Sequence, residues 1–286
     1  MAEIRTTEVA LGELAFTVDQ AGPEAGSPVL LLHGFPQSRR AWRSQLQALG
    51  AAGFRAIAPD QRGYSSGARP SETSAYAAPN MVADAFGIMS ALGHDHFHLI
   101  GHDWGGQIAW LMAADQPGRL LSLTVLSRPH PAAFARALRD DAAQAGRSSH
   151  HRTLLEDGAA AAIRADDMAG LRRMFAHQGV PADTAQAYIA TLSEPGAIEA
   201  AIAWYRAGGA ALRAADVPPI GPGTLFIWGD ADATVGRTAA EGTAAFVTGP
   251  YQFEVIPGAG HFLTDQVSEV VNGMLVGHVG EARTRI

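Results

Sequence analysis

The sequence contains no cysteine. Disulfide staples and thiolate metal sites are therefore excluded outright. Charge is sparse as well: Asp, Glu, Lys and Arg make up 17% of 286 residues, with a formal net charge of −7. That balance argues against nucleic acid or an anionic membrane surface as a partner. No uninterrupted apolar run reaches the ~18 residues that a membrane helix needs. The opening residues, Met1-Ala2-Glu3-Ile4-Arg5, lack a basic stretch followed by an apolar core, so no signal peptide is expected. These absences together predict a soluble, cytoplasmic protein.

What is present is ample apolar material, 47% of the residues, enough for one large domain or one domain with an insertion. Val9 to Val18 alternates around Gly12 and reads as two short strands joined by a turn. Val29-Leu30-Leu31-Leu32 is a continuous apolar run, as expected of a strand covered on both faces. A helix is expected from about Ser38 to Ala52, a strand over Phe54 to Ala58, a helix over Met81 to Leu92 and a strand over Leu121 to Leu126. Strands alternating with helices at this spacing predict an α/β fold with a mostly parallel, doubly wound sheet and right-handed crossovers. Around Pro129 to Pro131 the rhythm breaks, and no convincing strand follows until Thr224-Leu225-Phe226-Ile227-Trp228. Residues 132–217 are thus expected to form a helical cap, inserted into a core domain of residues 1–131 and 218–286.

The stretch Leu99-Ile100-Gly101-His102-Asp103-Trp104-Gly105-Gly106 ends an apolar run in a tight turn and leads into an apolar helical segment. Gly101, Gly105 and Gly106 leave room where Cβ atoms would collide, and Asp103 is forced out at the apex. A simpler reading makes Asp103 only a helix cap. Two further features weigh against that. Asp232 lies in the loop after the Thr224 to Trp228 strand, and His261 lies in Pro257-Gly258-Ala259-Gly260-His261-Phe262. Asp230 is the other candidate acid, but it sits closer to the strand end. His33-Gly34-Phe35-Pro36 follows its own strand where an oxyanion hole would form, with the amides of Phe35 and Trp104 as expected donors.

An ionised carboxylate attacks saturated carbon without help, displacing a halide or opening an epoxide and leaving an alkyl ester. His261, oriented by Asp232, would then activate water against that ester. Attack on an ordinary ester would give a mixed anhydride, so esterase activity is the poorer fit.

The order nucleophile, acid, histidine, with Gly-His-Asp-Trp-Gly-Gly at the elbow, resembles the α/β-hydrolase superfamily with Asp in place of Ser. More closely, the chain resembles the epoxide hydrolases, through His33-Gly34-Phe35-Pro36, Asp60-Gln61-Arg62-Gly63-Tyr64-Ser65, Trp228-Gly229-Asp230-Ala231-Asp232 and Gly260-His261-Phe262. The resemblance implies an eight-stranded sheet with the cap after the sixth strand, no cofactor and no metal. It also implies a small apolar epoxide-like substrate with water as co-substrate, hydrolysed to a vicinal diol, with a homodimer left open. Two cap tyrosines would donate to the opening oxygen. Tyr205, in Ala203-Trp204-Tyr205-Arg206, matches the second. The place of the first holds His150-His151-Arg152, and the remaining cap tyrosine is Tyr188. Phe35, Pro36, Trp104, His150, His151 and Trp204 are the expected substrate contacts.

Alternatives remain at this level. Haloalkane dehalogenases share the Asp nucleophile and the following Trp, but carry a halide-binding Asn where this chain has Phe35. Fluoroacetate dehalogenases carry Arg where it has Trp104. A biosynthetic specialist or a small-molecule binder on the same fold is the third reading. His33 reads as a structural hydrogen bonder, and Arg62 as a loop brace near Asp60. Arg136, Arg139 and Arg147, with Asp140 and Asp141, read as a solvated helical face. His94-Asp95-His96-Phe97-His98 runs into a strand, which would splay any metal ligands apart.

Overall fold

The computed structural model describes residues 2–208 and 216–283. Eight strands form one sheet: β1 (Ile4–Leu11), β2 (Leu14–Ala21), β3 (Pro28–Leu32), β4 (Arg55–Pro59), β5 (Phe97–His102), β6 (Leu120–Leu126), β7 (Thr224–Gly229) and β8 (Tyr251–Ile256). Their order across the sheet is β1-β2-β4-β3-β5-β6-β7-β8. The β1–β2 and β2–β4 pairs are antiparallel, and the rest are parallel. The core helices are α1 (Arg43–Ala51), α2 (Ala78–Ala91) and α3 (Trp104–Asp115).

The apolar runs of β3 and β5 follow from burial on both faces. Leu30, Leu32 and Leu99 join a core with Met81 and Phe86 of α2 and Ile108 and Trp110 of α3. The alternate residues Val29, Leu31 and Ile100 pack on the other face with Leu46 and Leu49 of α1. A side chain buried in this way contributes roughly 1.5–3 kcal/mol relative to exposure. Because successive strand residues point to opposite faces, one apolar run feeds two cores.

Between β6 and β7 lie six described helices: α4 (Pro131–Asp140), α5 (Ala142–Arg147), α6 (His150–Leu155), α7 (Ala159–His177), α8 (Ala182–Leu192) and α9 (Ala197–Gly208). α7 is broken at Ala165–Met168, where Asp166, Asp167 and Met168 have positive φ. Residues 209–215, part of the expected cap, lie outside the described residues. The chain then runs through β7, α10 (Arg237–Gly242), β8, α11 (Leu263–Gln266) and α12 (Ser268–Arg283). Among the described residues no helix is long and apolar enough to cross a membrane.

Candidate active site

Asp103 sits between β5 and α3 with φ 51° and ψ −118°, and makes no side-chain cap bond to the helix it precedes. A non-glycine residue there costs on the order of 1–3 kcal/mol, strain the surrounding packing must hold. Gly105 shows why the turn is glycine-rich: a Cβ at that position would lie 2.0 Å from the Leu32 carbonyl oxygen. At Gly34 a Cβ would lie 2.3 Å from Asp103 Oδ1. The capping reading of Asp103 therefore fails, and its carboxylate faces elsewhere.

The Phe35 amide donates to Asp103 Oδ1 at 2.9 Å, and the Trp104 amide donates to the same carboxylate. Oδ2 lies 3.5 Å from His261 Nε2. On the far side of that ring, Nδ1 lies 2.8 Å from Asp232 Oδ2. The amides of Thr234 and Val235 donate to Asp232 Oδ1 at 2.7 and 3.0 Å, and Thr234 Oγ1 donates to it at 2.7 Å. Asp230 is not part of this array: it is exposed, and its Oδ1 accepts from the Gly258 amide at 2.6 Å. The backbone of His261 is held in turn, its carbonyl oxygen lying 2.8 Å from His102 Nε2 and 3.0 Å from Ser127 Oγ.

Electrostatics follow from burial and these neighbours. Burial would raise the Asp103 carboxyl, but the hydrogen bond and charge of His261, the charge of His102 and the Trp104 amide hold it well below the usual carboxylate range. Burial would lower His261, yet the Asp232 charge and the hydrogen bonds it donates to both aspartates lift it to about 10. Burial and the Asp103 charge push Tyr205 well above the ordinary phenol value, so its hydroxyl keeps its proton. Burial, then His150 and Arg128, pulls His151 down to about 3, so that ring is neutral at pH 7.

These groups open onto a cavity of about 350 Å³ between the sheet edge and the helical insert. Phe35, Pro36, His150, His151 and Tyr205 line it together with Asp103 and His261. His151 and Tyr205 face each other with ring centroids 5.5 Å apart. The expected contacts Trp104 and Trp204 differ. Trp104 packs edge-on against Tyr205 at 5.1 Å and hydrogen-bonds its hydroxyl, supporting the wall from behind. Trp204 is fully buried, donates through Nε1 to the Arg62 carbonyl at 2.8 Å and packs on Tyr64 and His33, so it cannot meet a substrate. Trp204 and Tyr205 point about 100° apart on α9, and of the two it is Tyr205 that lines the cavity. Tyr188, the other cap tyrosine, donates to Asp265 at 2.9 Å and is buried away from the site.

Other sequence expectations resolve locally. His33 is buried and accepts from the Gln61 amide at 3.2 Å. Arg62 braces Asp84 through two 2.6 Å bonds rather than Asp60, which instead binds Arg39. Arg147 is exposed, as expected, and also donates to the Asp232 carbonyl at 2.8 Å. His98 is buried in β5, 2.8 Å from Ser122 Oγ, and among the described residues no group of metal-ligand side chains gathers. One cavity residue had no sequence signal beyond its proximity to Pro129: Arg128, at the end of β6, lines the cavity beside Phe134.

Comparison with known proteins places the chain in a family. A sequence profile described as "alpha/beta hydrolase fold" matches residues 27–266. Epoxide hydrolase 4 of Mus musculus is 31% identical over 276 residues, covering 93% of this chain and 76% of that protein. Epoxide hydrolase A of Mycobacterium tuberculosis is 30% identical over 299 residues, covering 87% of this chain and 89% of its own length. The crystal structure of Epoxide Hydrolase A from Mycobacterium thermoresistibile superposes with a TM-score of 0.86 at 26% identity, covering 97% of this chain and 98% of that one.

Proposed function

The chain belongs to the α/β-hydrolase family, on its epoxide-hydrolase branch, and from that premise we propose that Asp103 opens an epoxide through an alkyl-enzyme ester. The observation that carries the reading is the split environment of the Asp103 carboxylate, one oxygen in an amide cradle and the other facing His261. In this reading residues 1–131 and 218–286 are the catalytic core, and residues 132–217 the cap that closes over the substrate.

Oδ2 attacks an epoxide carbon, the carbon–oxygen bond breaks, and the departing oxygen takes a proton through Tyr205. The neutral His151 imidazole supplies the second hydrogen bond, standing where a cap tyrosine is expected; His150 supports it, with ring centroids 4.4 Å apart. Esterification removes the Asp103 charge, and with it part of what holds His261 protonated. The histidine then becomes a base for water, while Asp232 orients it and stabilises the imidazolium. Attack on the ester carbonyl puts negative charge on Oδ1, already held by the Phe35 amide, with the Trp104 amide donating to the same carboxyl group. Removing one such donor typically costs 10²–10³-fold in rate. Collapse releases the vicinal diol and restores the carboxylate.

Leu154, Leu171, Met174 and Phe134 on the cavity wall support an apolar substrate body. The proposal includes a cytoplasmic location and a homodimer, the latter checked by analytical ultracentrifugation. The central test is the intact mass of the His261→Gln protein after incubation with styrene oxide or 1-chlorobutane. An adduct equal to the whole epoxide, mapped to Asp103, is expected. An adduct from the haloalkane alone, lacking chlorine, would make the protein a dehalogenase instead.

A further inference from the structure

Arg128 is 5% exposed, yet it lines the cavity that holds Asp103 and His261. Its Nε and Nη2 donate to the side-chain oxygen of Gln107 at 3.0 and 2.8 Å, and its guanidinium lies 4.2 Å above the Phe134 ring. Both partners are neutral. Among the described residues no carboxylate comes within ion-pair distance of this guanidinium, and Nη1 has no protein partner. Every other strongly buried arginine contact near the sheet edge is paired: Arg39 with Asp19 and Asp60, Arg62 with Asp84.

Burying a guanidinium without a counter-charge is expensive, and such a charge is ordinarily paired. Burial pulls Arg128 down to about 10, while the Asp103 charge raises it. Asp103 is also the only carboxylate among the described residues lining the cavity. In the resting state it is therefore the long-range counter-charge of Arg128. The proposed reaction consumes that charge, because an ester is neutral. A neutral substrate would leave Arg128 with no anion in the cavity for the life of the intermediate. A substrate bearing its own anion keeps the charges balanced through ring opening, hydrolysis and release.

We propose that Arg128 is an anion-binding subsite of the active-site cavity, and that the epoxide opened here carries a carboxylate that pairs with its guanidinium. The substrate class inference rests on the epoxide-opening reading of Asp103; the anion subsite does not. The Gln107 contacts use one edge of the guanidinium, and the remaining Nη1 donates to a carboxylate oxygen. Phe134, Leu154 and Met174 receive the apolar part, so the substrate is an epoxy acid with an aryl or alkyl body. Arg128 touches substrate away from the reacting carbon, while Tyr205 and His151 serve the opening oxygen.

The test compares trans-3-phenylglycidate with trans-3-phenylglycidamide, which differ in charge and little in shape. Wild type should prefer the acid by at least about 30-fold in kcat/KM. In Arg128→Met that preference should collapse to within about threefold, and Arg128→Lys should retain part of it, since a point charge replaces the fork. Equal use of acid and amide by wild type would overturn the proposal. So would a parallel fall for both in Arg128→Met, which would make the residue a general stabiliser of the opening oxygen. A second arm measures binding of 3-phenylpropionate and 3-phenylpropanamide to wild type by calorimetry, and needs neither turnover nor a variant. At least tenfold tighter binding of the acid supports the subsite even where no epoxide is opened. Equal binding overturns it. Failure of the His261→Gln adduct with every epoxide would instead strike the reaction assigned to Asp103.

Discussion

His102 Nε2 lies 2.8 Å from the backbone carbonyl oxygen of His261, so the residue preceding the nucleophile holds the chain that carries the base. The ring is fully buried, and burial followed by the His261 charge pulls it down to about 4, leaving it neutral at pH 7. Its Nδ1 lies 2.8 Å from the Gln37 side-chain oxygen, and the Gln37 side-chain nitrogen donates to Asp265 at 2.8 Å. Nucleophile and base are therefore tied through the floor of the site as well as through their side chains.

His102→Phe removes one of three partners of the His261 carbonyl, leaving Ser127 Oγ and the Leu263 amide. A stability loss of about 1–3 kcal/mol is expected by urea denaturation, the range for leaving a buried acceptor under-satisfied. In rapid-quench kinetics the ester should still form at close to the wild-type rate, whereas its hydrolysis should slow about tenfold. Equal slowing of both steps would mean that His102 supports the elbow as a whole.

Tyr205→Phe should slow ester formation by at least about 100-fold, within the usual 10²–10⁴ contribution of a positioned proton donor. His151→Phe should slow the same step by a smaller factor, and His151→Tyr should recover most of it. These rates can be read from the burst of alkylated enzyme in stopped-flow fluorescence. An unchanged burst in His151→Phe would leave Tyr205 as the sole donor.

The stability of the resting protein should depend on His261. Its folded value of about 10 lies above the ordinary 6.5, so the folded state binds more protons between these limits. The stabilisation is complete below about pH 6.5 and is lost as pH rises towards 10, at roughly 1.4 kcal/mol per pH unit at most. His261→Gln should flatten that decline in denaturation midpoints measured from pH 7 to 10. A decline of unchanged steepness in the variant would assign it to other groups.

Trp204→Phe tests the structural role of that indole. Loss of the buried bond to the Arg62 carbonyl should cost about 1–3 kcal/mol of stability, while KM stays within about twofold of wild type. A KM rise of tenfold or more would return Trp204 to the substrate.

How much of this was legible in the sequence differs residue by residue. Asp103 and His261 were legible because a tight strand-to-helix turn demands small neighbours, and those glycines are visible without a structure. Asp232 followed from chain order and from its place beyond the strand end. Trp204 was misassigned because adjacency to Tyr205 in sequence says nothing about facing: one helical step turns the side chain away. Arg62 reads as a loop brace from sequence, but the residue it braces, Asp84, lies on α2 and is visible only in the fold. Arg128 carried no pattern at all. Its interest comes from where β6 ends and from the lack of an ion-paired carboxylate among the described residues, and a missing partner in space leaves no trace in a one-dimensional string.

The two oxygens of Asp103 are not interchangeable, one being pinned by the Phe35 amide and the other turned towards His261. If the cradled oxygen becomes the ester carbonyl, the other is the atom that leaves with the diol, and the vacancy is refilled from solvent. Each catalytic cycle thus exports one protein atom and imports one from water. Enzyme transferred into water enriched in ¹⁸O should release a first equivalent of diol made with ordinary oxygen and only later equivalents carrying the heavy isotope. The side chain is a one-atom record of the solvent in which it last turned over.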